Sequence, residues 1–283
     1  APSGVRVIAN RSNVGFGAAI NQGVRAAGAP FVVALNDDAV PAPQWLEKLV
    51  ACAKQHPEVG MFASEVHMGD TATLDSSGMC IAADGTSKQR AHGRPPQEVV
   101  GQTEALLPSG SAAMYRRSML DEVGLFDESY FLYCEDTDLG LRARWAGWGC
   151  RYVPGAIVRH AYSKSSGRAS VLKAYYVERN RIATVIKTFP LLTLLGASVA
   201  APVRYFWHVA ALFTGKGKTA EFTSAGSPAY LLPWLVLRAH LSILVKLPRL
   251  LSARRSIVRK ISSSSFRGLL RQHSISLREV ATL

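Results

Sequence analysis

The sequence predicts an α/β domain with a basic helical region behind it. Three observations carry that reading. Apolar runs at residues 5–9 and 31–35 flank a helix-forming segment, the spacing of a βαβ unit. Carboxylates follow the second run directly, and open α/β sheets collect ligands at the carboxyl ends of strands. The charge is split: residues 1–185 hold 19 basic and 18 acidic side chains, whereas residues 186–283 hold 14 and 2. With 283 residues, 48% hydrophobic and 19% charged, the chain can bury a core, which excludes a disordered polypeptide.

The elements follow in order. Val5 to Ala9 reads as a buried strand, and Asn10 to Gly17 as a turn-rich loop. Ala18 to Ala27 forms a helix that Gly28 stops, and Phe31 to Leu35 is the next strand. The two strands are expected to be parallel, joined by a right-handed crossover. Pro41 and Pro43 open a helix over Gln44 to Gln55, and Val59 to Ala63 is a further strand. Residues 64–105 read as loops with short strands, and Leu106 to Tyr115 as an extended segment interrupted by Ser109-Gly110-Ser111. Ser118 is expected to cap a short helix ending at Gly124, and Asp136 to Ala146 forms another, ending at Gly147. Short strands at Arg151 to Val153 and Ile157 to His160 surround Pro154-Gly155, and Lys173 to Lys187 is helical. The chain opens on Ala1 rather than Met and almost at once on an apolar run, so residues upstream are expected. Four scattered cysteines without a Cys-x-x-Cys pair fit a reducing cytoplasm better than a disulfide framework or zinc knuckle.

Several segments can carry chemistry. Asn36-Asp37-Asp38 follows a buried strand, where carboxylates can hold a hard divalent cation that neutralises a diphosphate; a solvated Asn-Asp turn is the other reading. Glu135-Asp136-Thr137-Asp138 follows the aromatic run Tyr130 to Tyr133. Those acids read either as charge at the positive end of a helix dipole or as a general base whose pKa partial burial raises. His160 ends an apolar strand, as a structural residue or as a metal ligand. Ser109-Gly110-Ser111 marks a bulge or the close approach of a ligand. The loop Asn13-Val14-Gly15-Phe16-Gly17 opens a helix and can approach a phosphate, without the strict dinucleotide spacing.

Taken in order, these segments resemble glycosyltransferase family 2, rhamnosyltransferase-like members in particular. The pieces are Asn10 to Gly17 with Asn21 and Gly23; Leu35 to Asp38; Ser109 to Ala112 with Arg116-Arg117; Val123 to Glu128; Phe131 to Leu139 with Arg142; Val153-Pro154 and His160; and Tyr176 with Arg179-Asn180. The resemblance covers about residues 4–185. It implies a GT-A fold, a Rossmann-like sheet binding a dTDP- or UDP-sugar with a Mg or Mn ion, here without the first βαβ elements that build the nucleobase pocket. It implies Asp38 as the main metal ligand, His160 as a further metal ligand or phosphate contact, Asp136 as catalytic base and Glu135 as its acceptor-orienting partner. Asn13, Gly15, Phe16, Asn36, Asp37, Ser109 and Gly110 would border donor and acceptor. The implied reaction is inverting, with L-rhamnose as the first expectation for the sugar and a lipid-linked or polysaccharide acceptor in cell-envelope glycan synthesis. A truncated fragment acting only as a binding module is the alternative.

Residues 1–185 are thus expected to be the catalytic domain and 186–283 a membrane-associating region. The longest uncharged apolar stretch in that region, Phe189 to Val203, is shorter than the ~20 residues that cross a bilayer. Leu231 to Leu251 interleaves Leu and Trp with Arg238, Lys246 and Arg249, as in helices lying in a membrane interface, with Pro233 and Pro248 breaking the run. Ser262 to Ser265 reads as a linker. Bulky aliphatics among the cations suit an anionic membrane surface rather than nucleic acid, which leads us to expect the chain at the inner face of the cell membrane; helices packed on the catalytic domain with their cations merely exposed are the other reading.

Overall fold

The structure, a computed structural model, describes residues 4–161, 170–215 and 217–283. Helix α1 (Phe16–Ala26) leads to strand β1 (Phe31–Leu35), a tight turn and β2 (Ala39–Pro41). Then come α2 (Trp45–Gln55), the long β3 (Val59–Met68), and the short β4 (Leu74–Ser76), β5 (Met79–Ile81) and β6 (Ser87–Gln89). β7 (Ala112–Arg116), α3 (Arg117–Val123), α4 (Glu135–Trp145) and β8 (Gly149–His160) complete the sheet region. Six helices follow: α5 (Val171–Thr188), α6 (Leu191–Phe213), α7 (Gly217–Ser224), α8 (Leu231–Ser256), α9 (Ser263–Gln272) and α10 (Leu277–Thr282).

The main sheet has the order β1-β7-β3-β8-β2, with β4 on β3. Only β3 and β8 pair in parallel; the other ladders are antiparallel. Residues 5–9 form no strand, which corrects the expected parallel βαβ unit. A strand needs a lateral partner for its backbone groups. Here β1 pairs with β7 alone, and Val5 and Val7 stand 55% and 69% exposed.

Other expectations shift as well. The two short strands around Pro154-Gly155 are one strand, β8, whose register jumps from Ser64↔Val153 to Glu65↔Ile157; Gly155 N–H donates to Glu65 Oε2 at 2.8 Å across the bulge. Ser118 lies inside the first turn of α3, whose N-cap is Arg116. Ser262 to Ser265 is not a linker but the start of α9, with the Ser262 side chain accepting from Ser265 N–H. Pro233 and Pro248 do not break α8: Pro233 falls in the first turn, where no N–H is needed, and Pro248 lies in the helix interior, where it removes one backbone N–H donor while the helix runs on to Ser256. Among the described residues α8 alone is long and apolar enough to cross a membrane, by length and composition only.

The composition boundary at 185 falls inside α5, and one apolar cluster takes residues from both sides of it. Met61, Leu106 and Tyr115 of the sheet region belong to the same cluster as Phe189, Ala197 and Phe266. Trp145 stacks on Phe266 at 4.1 Å, and α8 packs along α5.

Candidate functional site

The turn after β1 brings the first carboxylates to the sheet end. β2 pairs with β8 in the register Ala39↔His160, which sets Asp38 beside His160. Asp38 Oδ1 lies 3.1 Å from His160 Nε2, and Asn36 Nδ2 lies 3.5 Å from the same nitrogen. The other ring nitrogen, Nδ1, bonds Asp75 Oδ2 at 2.9 Å. Asp75, on β4, also faces His92 at 3.2 Å. Burial alone would lower the His160 pKa, but Asp75 and Asp38 outweigh it and the net shift is upward. Burial would raise Asp75; hydrogen bonds from His160 and His92 win and hold it low.

This donor set fits a hard divalent cation. A carboxylate and an imidazole converge, and the second imidazole nitrogen is fixed by a buried carboxylate, the usual support of a metal-binding histidine. Among the described residues no group of three or more His, Cys, Asp or Glu surrounds one point. Two protein ligands suit a cation that takes its remaining ligands from phosphates and water.

The second corner is built on a strained loop. Phe131, Tyr133 and Cys134 have φ of 66°, 68° and 65°, the left-handed region that side chains avoid. Three devices hold them there. Asn180 of α5 donates to the carbonyls of Tyr130, Leu132 and Tyr133 at 3.0, 2.7 and 2.8 Å. Arg179 donates to those of Ser129 and Tyr130 at 3.0 and 2.7 Å. Phe16 N–H donates to Phe131 O at 2.9 Å. The chain reaches that carbonyl through Gly15, with φ of 85°, where a Cβ would collide with Phe131 O.

Behind this loop α4 opens with Glu135 and Asp136. Asp136 accepts from Gly110 N–H at 2.9 Å and Thr137 N–H at 2.6 Å. A Cβ on Gly110 would lie 3.2 Å from Asp136 Oδ2, so the residue between Ser109 and Ser111 provides close approach rather than flexibility. Burial raises the Asp136 pKa despite these donors. Burial and then repulsion from Asp136 push Glu135 up to about 8, and its Oε2 is buried without a hydrogen-bond partner. Asp138, third in the acidic run, is instead a structural anchor, buried against Arg142 at 2.9 Å and Lys187 at 2.7 Å.

Both corners face one cavity of about 1380 Å³. Asn13, Phe16, Asn36, Asp37, Asp38, Ser109, Gly110, Glu135, Asp136 and His160 all line it. Gly15 does not; it makes the turn that places Phe16. Asp75, Lys88, Lys173 and Arg204 also line the cavity and are not among the sequence candidates. Each is a single charged residue in a segment without a motif, so only the fold brings it there.

Among known protein families, one described as "Glycosyltransferase like family 2" matches residues 1–183. The N-acetylglucosaminyl-diphospho-decaprenol L-rhamnosyltransferase of Mycobacterium tuberculosis is 32% identical over 197 residues, 61% of this chain and 64% of that protein. The chain thus spans somewhat less than two thirds of that relative's length. Rhamnosyltransferase WbbL of Escherichia coli is 34% identical over 97 residues, 31% of this chain and 36% of that protein. A crystal structure of GalNAc-T7 with UDP, GalNAc and Mn2+ overlays only loosely, at TM-score 0.49 and 15% identity, over 63% of this chain and 35% of that one. With that family matched over residues 1–183, well over half of the chain, the chain belongs to glycosyltransferase-like family 2, with rhamnosyltransferases among its relatives.

Proposed function

We propose that the chain is an inverting glycosyltransferase that transfers a sugar from a nucleotide donor to a lipid-linked acceptor. The observation that carries this is Asp136: a buried carboxylate with a raised pKa, held by two backbone N–H groups, in one cavity with the Asp38–His160–Asp75 cluster. Asp136 takes the proton of an acceptor hydroxyl while that oxygen bonds to the anomeric carbon. The bond from that carbon to the diphosphate breaks on the opposite face, so configuration inverts and the nucleoside diphosphate leaves with the electron pair. Asp38 and His160 would hold a Mg or Mn ion, which when bound supplies positive charge for the departing diphosphate. Asp75 keeps the His160 ring oriented. Glu135, protonated near neutrality, donates a hydrogen bond that orients the acceptor.

L-rhamnose from dTDP-rhamnose is the proposed donor, supported by the two rhamnosyltransferase relatives. A lipid-linked acceptor is supported by the name of the mycobacterial relative and by the apolar helices beside the cavity. We place the chain at the inner face of a cell membrane, with residues 186–283 as the membrane-associating part.

The test is calorimetric titration of dTDP and UDP with Mn into the chain and into Asp38→Ala, with a transfer assay on Asp136→Asn. Metal-dependent binding is expected, lost in Asp38→Ala, and transfer is expected to fall by roughly 10²–10⁴-fold in Asp136→Asn with nucleotide binding kept. Equal binding by Asp38→Ala would remove the metal assignment, and undiminished transfer by Asp136→Asn would remove the base.

A further inference from the structure

A second cleft, of about 420 Å³, shares no lining residue with the cavity of the acids. It lies where the last turns of α8 meet the start of α6 and the start of α9. Arg254, Arg255 and Arg259 line it together with Trp145, Leu191 and Leu251. Two exposed apolar stripes run into it at helical spacing: Val199, Leu195 and Leu191 on α6, and Leu241, Leu244 and Leu251 on α8.

The three arginines are gathered without acids. Residues 186–283 contain two acidic side chains, and both act elsewhere: Glu221 pairs with Lys218, and Glu279 caps α10 through Ser276. The neighbouring Lys260 has a partner, Glu122 at 2.7 Å. Among the described residues no carboxylate lies at ion-pair distance from Arg254, Arg255 or Arg259. Burial, then repulsion from Arg259, lowers the Arg254 pKa, and no carboxylate opposes that shift. Two of the three are also held in place. Arg254 Nη1 donates to Ile186 O at 2.7 Å. Arg259 Nη2 donates to Arg254 O at 2.7 Å, and its guanidinium lies over the Trp145 ring at 5.4 Å. A guanidinium has five N–H donors, and these bonds occupy one nitrogen of each, so both keep donors for a ligand. Cations fixed side by side repel, and an anion between them offsets that cost.

We propose that Arg254, Arg255 and Arg259 bind the phosphate of an anionic glycerophospholipid headgroup, with Leu191 and Leu251 at the root of its acyl chains. Charge complementarity selects the group: guanidinium forks match phosphate oxygens in geometry as well as in sign. The apolar stripes select the source, since the cleft sits where both of them end and a soluble anion has no use for that surface. A discrete site gives α6 and α8 one orientation on the membrane surface, which diffuse attraction of scattered cations does not. The lipid source rests on the reading of residues 186–283 as membrane-associating; the phosphate site itself does not, and neither depends on the catalytic assignment.

The experiment is calorimetric titration of the full chain with dihexanoyl phosphatidylglycerol, dihexanoyl phosphatidylcholine and inorganic phosphate. Phosphatidylglycerol is expected to bind most tightly. In Arg255→Gln/Arg259→Gln its affinity should fall by about tenfold or more, the loss of charge-assisted bonds. Arg254 is left in place because it also holds the Ile186 carbonyl. Arg249→Gln/Arg271→Gln removes the same charge from exposed arginines outside the cleft and should leave the affinity unchanged. Near-UV circular dichroism reports that each variant is folded. No binding of phosphatidylglycerol by the unaltered chain, or an equal loss in both arginine pairs, overturns the proposal; the second result assigns the attraction to diffuse charge. Inorganic phosphate binding as tightly as phosphatidylglycerol overturns the lipid source, and so does equal binding of phosphatidylcholine. Flotation on phosphatidylglycerol vesicles separates this proposal from the membrane reading. If the unaltered chain and Arg255→Gln/Arg259→Gln float equally, the membrane reading stands and the headgroup site falls. If the unaltered chain does not float, the membrane reading fails and takes the lipid source with it.

Discussion

Glu135 and Asp136 are adjacent acids in one buried corner, and their environments separate their protonation. Asp136 has two backbone N–H donors that favour its charged form, whereas Glu135 has an oxygen with no partner and a charged neighbour. With a folded pKa of about 8 against an ordinary 4.5, the Glu135 contribution to stability is complete below pH 4.5. Between those values the unfolded chain has released its proton and the folded chain keeps it, so stability falls as pH rises, by at most about 1.4 kcal/mol per pH unit. Glu135→Gln should flatten this decline. Urea unfolding across that pH range tests it, and parallel slopes for both proteins would reject the assignment.

At the scale of elements, α5 is the brace of the site. Arg179 and Asn180 line up against the carbonyls of residues 129–133, while Glu178, one residue earlier, joins Arg181 and Arg204 and so ties α6 to α5. The positive-φ loop persists because these donors over-determine it. Asn180→Ala leaves buried carbonyls without donors and should cost about 1–3 kcal/mol. Asn180 touches neither donor nor acceptor, so its signature is a drop in kcat, measured well below the unfolding temperature, with nucleotide binding retained. Unchanged turnover would mean the loop holds its shape without α5.

For the whole molecule, the basic region is not an appendage. Arg238 of α8 lies over Tyr175 at 4.7 Å, α10 packs on α6, and Ile275 N–H donates to Ile81 O at 3.2 Å. Each long helix buries one stripe and leaves another apolar stripe exposed, as an in-plane membrane helix does. Flotation with anionic vesicles is expected to carry the chain, and Leu241→Gln/Leu244→Gln/Val245→Gln should leave it in the soluble fraction. Neutral vesicles should capture less, since each Lys or Arg near an anionic surface contributes roughly 1 kcal/mol. Equal flotation of the variant would place the contact elsewhere.

The α/β class and most helices were legible in the sequence, and ten of the eleven residues expected at the site line one cavity, because they lie in short local patterns: an apolar run ending in Asn36-Asp37-Asp38, glycines at tight approaches, acids opening a helix. Local patterns could not separate Asp136 from Asp138, which differ only in which face of α4 they occupy and what meets it there. Nor could they show that residues 5–9 lack a strand partner, since pairing is decided by a neighbour distant in the chain. Asp75 behind His160, and the lysines of β6, α5 and α7 on one cavity wall, come from segments far apart and without motifs. The sequence determined the α/β class and the order of the acidic, glycine-rich and basic segments. The tertiary structure decided which charges converge and which are neutralised, because burial and pairing depend on contacts that no local spacing encodes.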